Sequence, residues 1–177
     1  MSETVSQLNF LLSLATLGAQ VVVILLIIGL LLRARFIAML APHALWLSFA
    51  AALGASALSL VYSNIIGFDP CSLCWWQRIF IYPQVVLLGL ALWRKDTNSA
   101  VVDSSIVLSA LGALVAAYHY YGQMFNASAL PCDADGAVSC AKIYFVEFGF
   151  VTMPLMALTA FVLLLALLFV HKQKHAA

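Results

Sequence analysis

The chain has 177 residues, 65% of them hydrophobic and 8% charged, with four cysteines and a formal net charge of +1. At a mean hydropathy of +1.07 there are too few charges to cover a water-soluble globule. Most of the surface therefore belongs in lipid, with backbone hydrogen bonds closed inside helices. No cluster of Lys or Arg is dense enough to track a phosphate backbone, which excludes nucleic acid as a partner.

Five segments have the length a bilayer core requires: about Leu8 to Leu32, Ala44 to Ile66, Cys74 to Trp93, Ser104 to Phe125 and Gly149 to Val170. Glu3 precedes the first, with no Lys or Arg, and the apolar run is too long for a secretory signal core. It reads as a retained helix. Its Ser13, Gly18 and Gln20 could pack on other helices, bind a further subunit or serve insertion only, and no chemistry is assigned to it. There is no internal repeat, low-complexity stretch or Pro/Gly/Ser linker, so a single helical domain is expected.

Arg33 and Arg35 follow the first segment, Arg94 and Lys95 the third, and Lys172 and Lys174 the fifth, all on one side of a five-helix serpentine. Basic residues near helix ends favour the cytoplasmic side. The N-terminus, the Phe68 to Leu73 turn and the loop at about 126–148 then lie outside, where disulfides persist, and the C-terminus inside.

Every cysteine belongs to a close pair: Cys71 with Cys74, and Cys132 with Cys140 across seven residues. Asp69 is a good N-cap type and Pro70 suits the first helical position, which predicts a helix with Cys71 and Cys74 in its first turn. Amide N–H groups and the helix dipole at such an end favour a thiolate, lowering a cysteine pKa from about 8.5 into a range of roughly 3.5–7.5. Asp69 opposes that shift. Arg78, on the same helical face and one turn deeper than Cys74, favours it, and a costly intramembrane arginine is a functional candidate.

Around that level gather Trp75, Trp76, Gln77, Phe80 and Tyr82, and, near the outer end of the fourth segment, Tyr118, His119, Tyr120, Tyr121 and Gln123. These would suit a flat acceptor with carbonyl edges, although Trp and Tyr also collect at bilayer interfaces whatever the function. His119 reads either as a helix-packing hydrogen bond or as part of a site. Pro83 reads as a kink.

The run Cys71-Ser-Leu-Cys74-Trp-Trp-Gln-Arg78, with Tyr82-Pro83, the Tyr-His-Tyr-Tyr stretch and the later cysteine pair, resembles the bacterial disulfide-bond formation protein B (DsbB) family, in its short BdbC-like form. The resemblance implies an all-α membrane protein: a DsbB-like four-helix transmembrane bundle over 44–177, preceded by one extra N-terminal transmembrane helix and cytoplasmic loop over 1–43. It implies a multi-pass protein of the bacterial inner membrane with both cysteine pairs on the periplasmic side. The implied activity passes electrons from a thioredoxin-fold, DsbA-like partner to a membrane quinone, ubiquinone or menaquinone. By the same resemblance the partner attacks Cys132, Cys140 then engages Cys71, Cys74 serves the quinone, Arg78 stabilises developing negative charge, and His119 lies near the quinone; no metal is implied. Longer members space the second pair more widely around a membrane-surface helix, for which seven residues leave no room.

Three other readings share some of these residues. Vitamin K epoxide reductase-like enzymes also combine a membrane Cys-x-x-Cys with a loop pair, but there the loop pair comes first in sequence. Four outer-face thiolates suggest a Zn or Cu site, against which stand the lack of a histidine at ligand spacing and the charge of Arg78. A structural subunit with passive disulfides would use the Cys132–Cys140 ring as a loop staple worth up to about 3 kcal/mol.

Overall fold

The computed structural model describes residues 3–94, 99–130 and 138–176. Five long helices follow one another: α1 (Glu3–Leu31), α2 (Arg35–Leu60), α3 (Ser72–Arg94), α4 (Ser99–Phe125) and α5 (Met153–Ala176). Among the described residues there is no strand beyond an isolated bridge between Glu147 and Val151. The architecture is the expected all-α membrane fold, a four-helix bundle of α2 to α5 with α1 added.

Helix α2 begins at Arg35 rather than near Ala44. The helix runs through Pro42 and continues past Leu60 as a π turn, Val61–Ile65. Four spans are long and apolar enough to cross a bilayer: Glu3–Leu31, Arg35–Ile65, Ala100–Phe125 and Met153–Gln173. Helix α3, also expected to span, is the exception in composition because Gln77, Arg78 and Gln84 interrupt its apolar run. All three are buried in the bundle, and its outward positions Ile79, Val86 and Leu90 are apolar. Its 23 residues reach about 35 Å at 1.5 Å per residue, enough to cross. Pro83 lies inside this continuous helix.

Helix α5 is the hub, packing on α4, α2 and α1. The main core joins Leu45 and Ala52 of α2, Ile81 and Leu88 of α3, and Phe161, Leu164 and Leu168 of α5. Gly112 lets α4 and α5 approach closely, since a Cβ there would lie 2.3 Å from the Phe161 ring. Hydrophobic association is weak between helices in lipid, so buried hydrogen bonds add specificity. Ser109 donates to Gln84 Oε1 at 3.0 Å, Gln20 Nε2 to Thr159 Oγ1 at 3.2 Å, and Tyr62 to Asn9 Oδ1 at 2.7 Å. The last two tie α1 to the bundle. Ser13 is buried as well, whereas Gly18 is exposed and a Cβ there would meet nothing within 4 Å.

Candidate active site at the cysteine end

The chain leaves the π turn through Gly67, which has the left-handed φ of 81°. Pro70 disfavours the helical conformation at Asp69, and the Asp69 carbonyl accepts a hydrogen bond from Tyr144 at 2.8 Å. Phe68 stacks on the same Tyr144 ring, centroids 4.4 Å apart. With 68–70 tied to the outer loop, the helix starts later than the Asp69 cap predicts. The Cys71 carbonyl accepts the first helical bond, from Trp75 N at 3.1 Å, and α3 opens at Ser72.

Cys71 therefore sits just before the helix and Cys74 in its first turn, and all three described cysteines are free thiols. The Cys71 Sγ donates to Cys74 Sγ at 3.2 Å. That bond, together with burial, pushes the Cys71 thiol up to about 12, the reverse of the lowering expected from the helix end. A donor thiol is stabilised with its proton on, and the dipole cannot offset both effects.

Cys140 is brought to the same place from the loop. Its Sγ lies 3.3 Å from Ser72 Oγ, and its carbonyl accepts from Gln123 Nε2 at 3.0 Å, a group that also reaches the Lys142 carbonyl at 3.1 Å. Burial raises its thiol pKa as well. The Cys71 and Cys140 sulfurs and a His119 ring nitrogen all lie within 4.8 Å of one another. Cys132, Asp133, Asp135 and Gly136 lie outside the described residues. The chain entering that segment is anchored by Leu130, which is buried against α4 at Gly122, where a Cβ would lie 2.3 Å from the leucine side chain.

His119 is buried between these sulfurs. Its Nδ1 is 3.1 Å from Gln77 Nε2, and its Nε2 is 3.1 Å from the Cys140 carbonyl and 3.8 Å from Cys71 Sγ. Gln123 Nε2 also lies 3.2 Å from that Nε2, so an amide nitrogen faces each ring nitrogen beside the sulfurs. The histidine that the sequence spacing separates from the cysteines thus joins them through the α3–α4 packing.

Arg78 is also buried. Its Nε donates to Ser59 Oγ at 2.9 Å and an Nη to the Ser59 carbonyl at 3.0 Å, while its guanidinium lies 5.0 Å from the centroid of the Trp75 ring. Among the described residues no carboxylate pairs with it; the ion pair present is Lys172 with Asp103 at the opposite end. Arg78, Cys71, Cys74, Gln77 and His119 all line one cavity of about 470 Å³ that reaches every helix of the molecule. Trp75, Trp76, Tyr118 and Tyr121 are largely exposed on the outside, as an interfacial belt requires. Ser59, Ser72 and Tyr144 have site contacts that nothing in their spacing announces: serine and tyrosine are ordinary residues in membrane helices and loops.

The chain matches the family model described as disulfide bond formation protein DsbB over residues 40–171. It is 43% identical over 106 residues to the SPbeta prophage-derived disulfide bond formation protein B of Bacillus subtilis, covering 60% of this chain and 70% of that protein. It is 44% identical over 115 residues to a probable disulfide formation protein C of Bacillus cereus, covering 65% and 78%. Disulfide bond formation protein C of Bacillus subtilis is 38% identical over 123 residues, covering 68% and 86%. No solved structure matches the chain. Membrane-capable helices, gathered thiols and these matches lead to one statement: the chain belongs to the DsbB family of disulfide-forming membrane oxidoreductases.

Proposed function

We propose that the protein is a thiol:quinone oxidoreductase that reoxidises a thioredoxin-fold, DsbA-like partner. The observation that carries this reading is the common cavity of Cys74 and Arg78, in which a buried guanidinium has no carboxylate partner among the described residues. A buried unpaired cation is costly unless negative charge arrives or develops beside it. Two of its N–H groups go to Ser59, and Trp75 covers it, so the fork is held before any ligand binds. The largely apolar cavity, whose lining includes the exposed Asp69 and Lys142 besides the buried, preorganised Arg78, fits a quinone: Arg78 would hold a ring oxygen and His119 would border the site. When bound, the quinone supplies a sink for two electrons and two protons.

The protein's own residues perform the exchange. A partner thiolate attacks Cys132 of a Cys132–Cys140 disulfide, forming a mixed disulfide and releasing Cys140. Cys140 attacks Cys71 of a Cys71–Cys74 disulfide, forming Cys71–Cys140 and releasing Cys74. The partner's second thiol then expels Cys132, which attacks Cys140 and releases Cys71. The partner leaves oxidised, and the reduced Cys71–Cys74 pair holds its two electrons. The proximity of Cys71, Cys140 and His119 supports the middle step, with His119 taking or returning the proton. In this reading Cys74 faces the quinone and the cysteine end faces the periplasm of a bacterial inner membrane, opposite Arg33, Arg94 and Lys172, with the N-terminus out and the C-terminus in.

Full-length protein in lipid nanodiscs, mixed with a reduced thioredoxin-fold dithiol and a short-chain quinone, should consume two thiols per quinone reduced. Absence of turnover across several partners and quinones would contradict the reading. One arrangement favours a second reading: two buried thiols and an imidazole within 4.8 Å could hold a thiophilic ion. Stoichiometric Zn or Cu in protein purified without chelator, released by thiol alkylation, would favour that reading instead.

A further inference from the structure

The thiol chemistry uses only the outer part of the cavity. From Arg78 the space continues between α1, α2 and α5, walled by Leu12, Ala15 and Ala19 of α1 and by Ala51, Gly54 and Ala55 of α2. Ala51 precedes Ser59 by eight residues, about 12 Å deeper along the helix.

Small residues keep this part open. A Cβ on Gly54 would meet nothing within 4 Å. Helix α1 bridges the opening and is fastened on both sides of it. Toward the cysteine end Asn9 accepts the Tyr62 hydroxyl at 2.7 Å; toward the other end Leu26 packs with Ile37, Ala41 and Leu167. Between them Gln20 bonds to Thr159. The hydroxyls along this wall are spent on their own helices, Thr16 on the Leu12 carbonyl at 2.8 Å and Thr159 on the Leu155 carbonyl at 2.9 Å. A space lined by methyl groups and satisfied hydroxyls suits a hydrocarbon chain, and its continuity with Arg78 ties that chain to the polar head bound there.

We propose that this inner part of the cavity is a binding subsite for the polyisoprenoid tail of the quinone, and that α1, which lies outside the family match at 40–171, is a structural part of that subsite, covering the tail where it would otherwise meet lipid. The inference rests on the thiol:quinone reading.

Two measurements on the full-length protein in nanodiscs test it. A quinone carrying a diazirine in the middle of its tail is photolysed and the labelled peptides are mapped. Label is expected on the cavity-lining Leu12, Ala15, Thr16 and Ala19 of α1 and around Gly54, displaced by unlabelled long-tail quinone and not by added phospholipid. Label confined to the outward positions Leu11, Leu14 and Gly18, or displaced equally by phospholipid, would overturn the proposal in favour of an ordinary lipid contact. In the second measurement Gly54→Leu and Ala15→Phe each fill the subsite. The ratio of KM for a decyl-tailed quinone to KM for a tail-less one should rise about tenfold, the loss of roughly two buried methylenes, while Gly18→Leu on the lipid face leaves the ratio as it was. An unchanged ratio in both filling variants overturns the subsite and leaves thiol:quinone turnover standing, whereas wild-type protein that reduces neither quinone removes the reading beneath it.

Discussion

Cys71 and Cys74 differ in what each does with one hydrogen. Cys71 is buried and donates to its neighbour, so its thiol is pushed up to about 12, whereas Cys74 accepts that bond and is partly exposed. A raised pKa means fewer thiolates at neutral pH, and only thiolates alkylate at a useful rate. Reduced protein treated briefly with iodoacetamide at pH 7 to 8 should be labelled at Cys74 ahead of Cys71, with Cys71 reacting only as the pH climbs toward 12; peptide mapping that finds Cys71 labelled before Cys74 would contradict the assignment. At Arg78 the expectation is a split effect. Arg78→Ala should lower kcat/KM for quinone by about 10²–10³, the scale of removing a preorganised electrostatic donor, while exchange between a partner and Cys132 stays within about twofold. Equal loss of both half-reactions, measured by stopped-flow with and without quinone, would reject that division of labour. Arg78→Lys keeps the charge but not the fork that grips Ser59, and should recover only part of the quinone step.

Among the elements, the outer loop and α3 decide where the sulfurs meet. Gly122 admits Leu130 against α4, and any Cβ there would have to displace it. Gly122→Ala should gain about 1 kcal/mol in helix propensity and lose about 1–3 kcal/mol to overpacking, so the loop should lift. The expected result is faster alkylation of Cys140 and slower partner oxidation; unchanged Cys140 reactivity would show that Leu130 repacks freely. Much at this scale is legible in the sequence. Apolar runs give the five helices, and Cys-x-x-Cys followed by Arg gives the α3 face, because both depend on local spacing. The start of α3 is not legible: Asp69-Pro70 reads as a cap, but Tyr144, far along the chain, holds 68–70 out of the helix. Ser59 and the position of His119 are hidden for the same reason, since their meaning comes from packing between helices. The true start of α2 is masked by Pro42 and His43, which dilute hydropathy without ending the helix.

At the scale of the whole molecule, the proposed relay separates two tasks along the bundle axis. One end gathers Cys71, Cys140 and His119 where a loop can deliver electrons; the cavity below carries Arg78 and an apolar interior reaching α1. The opposite end is sealed by the packing of α1, α2 and α5 around Leu26, Ile37 and Leu167. This polarity makes the order of disulfide exchange the central claim, and a partner with a single cysteine can freeze it. Oxidised full-length protein is mixed with that reduced partner, quenched with an alkylating agent and mapped by mass spectrometry without reduction. The expected products are the partner on Cys132, a Cys71–Cys140 bridge, and Cys74 carrying the alkyl group. A partner bonded to Cys71 or Cys74 with the Cys132–Cys140 bridge intact would contradict it.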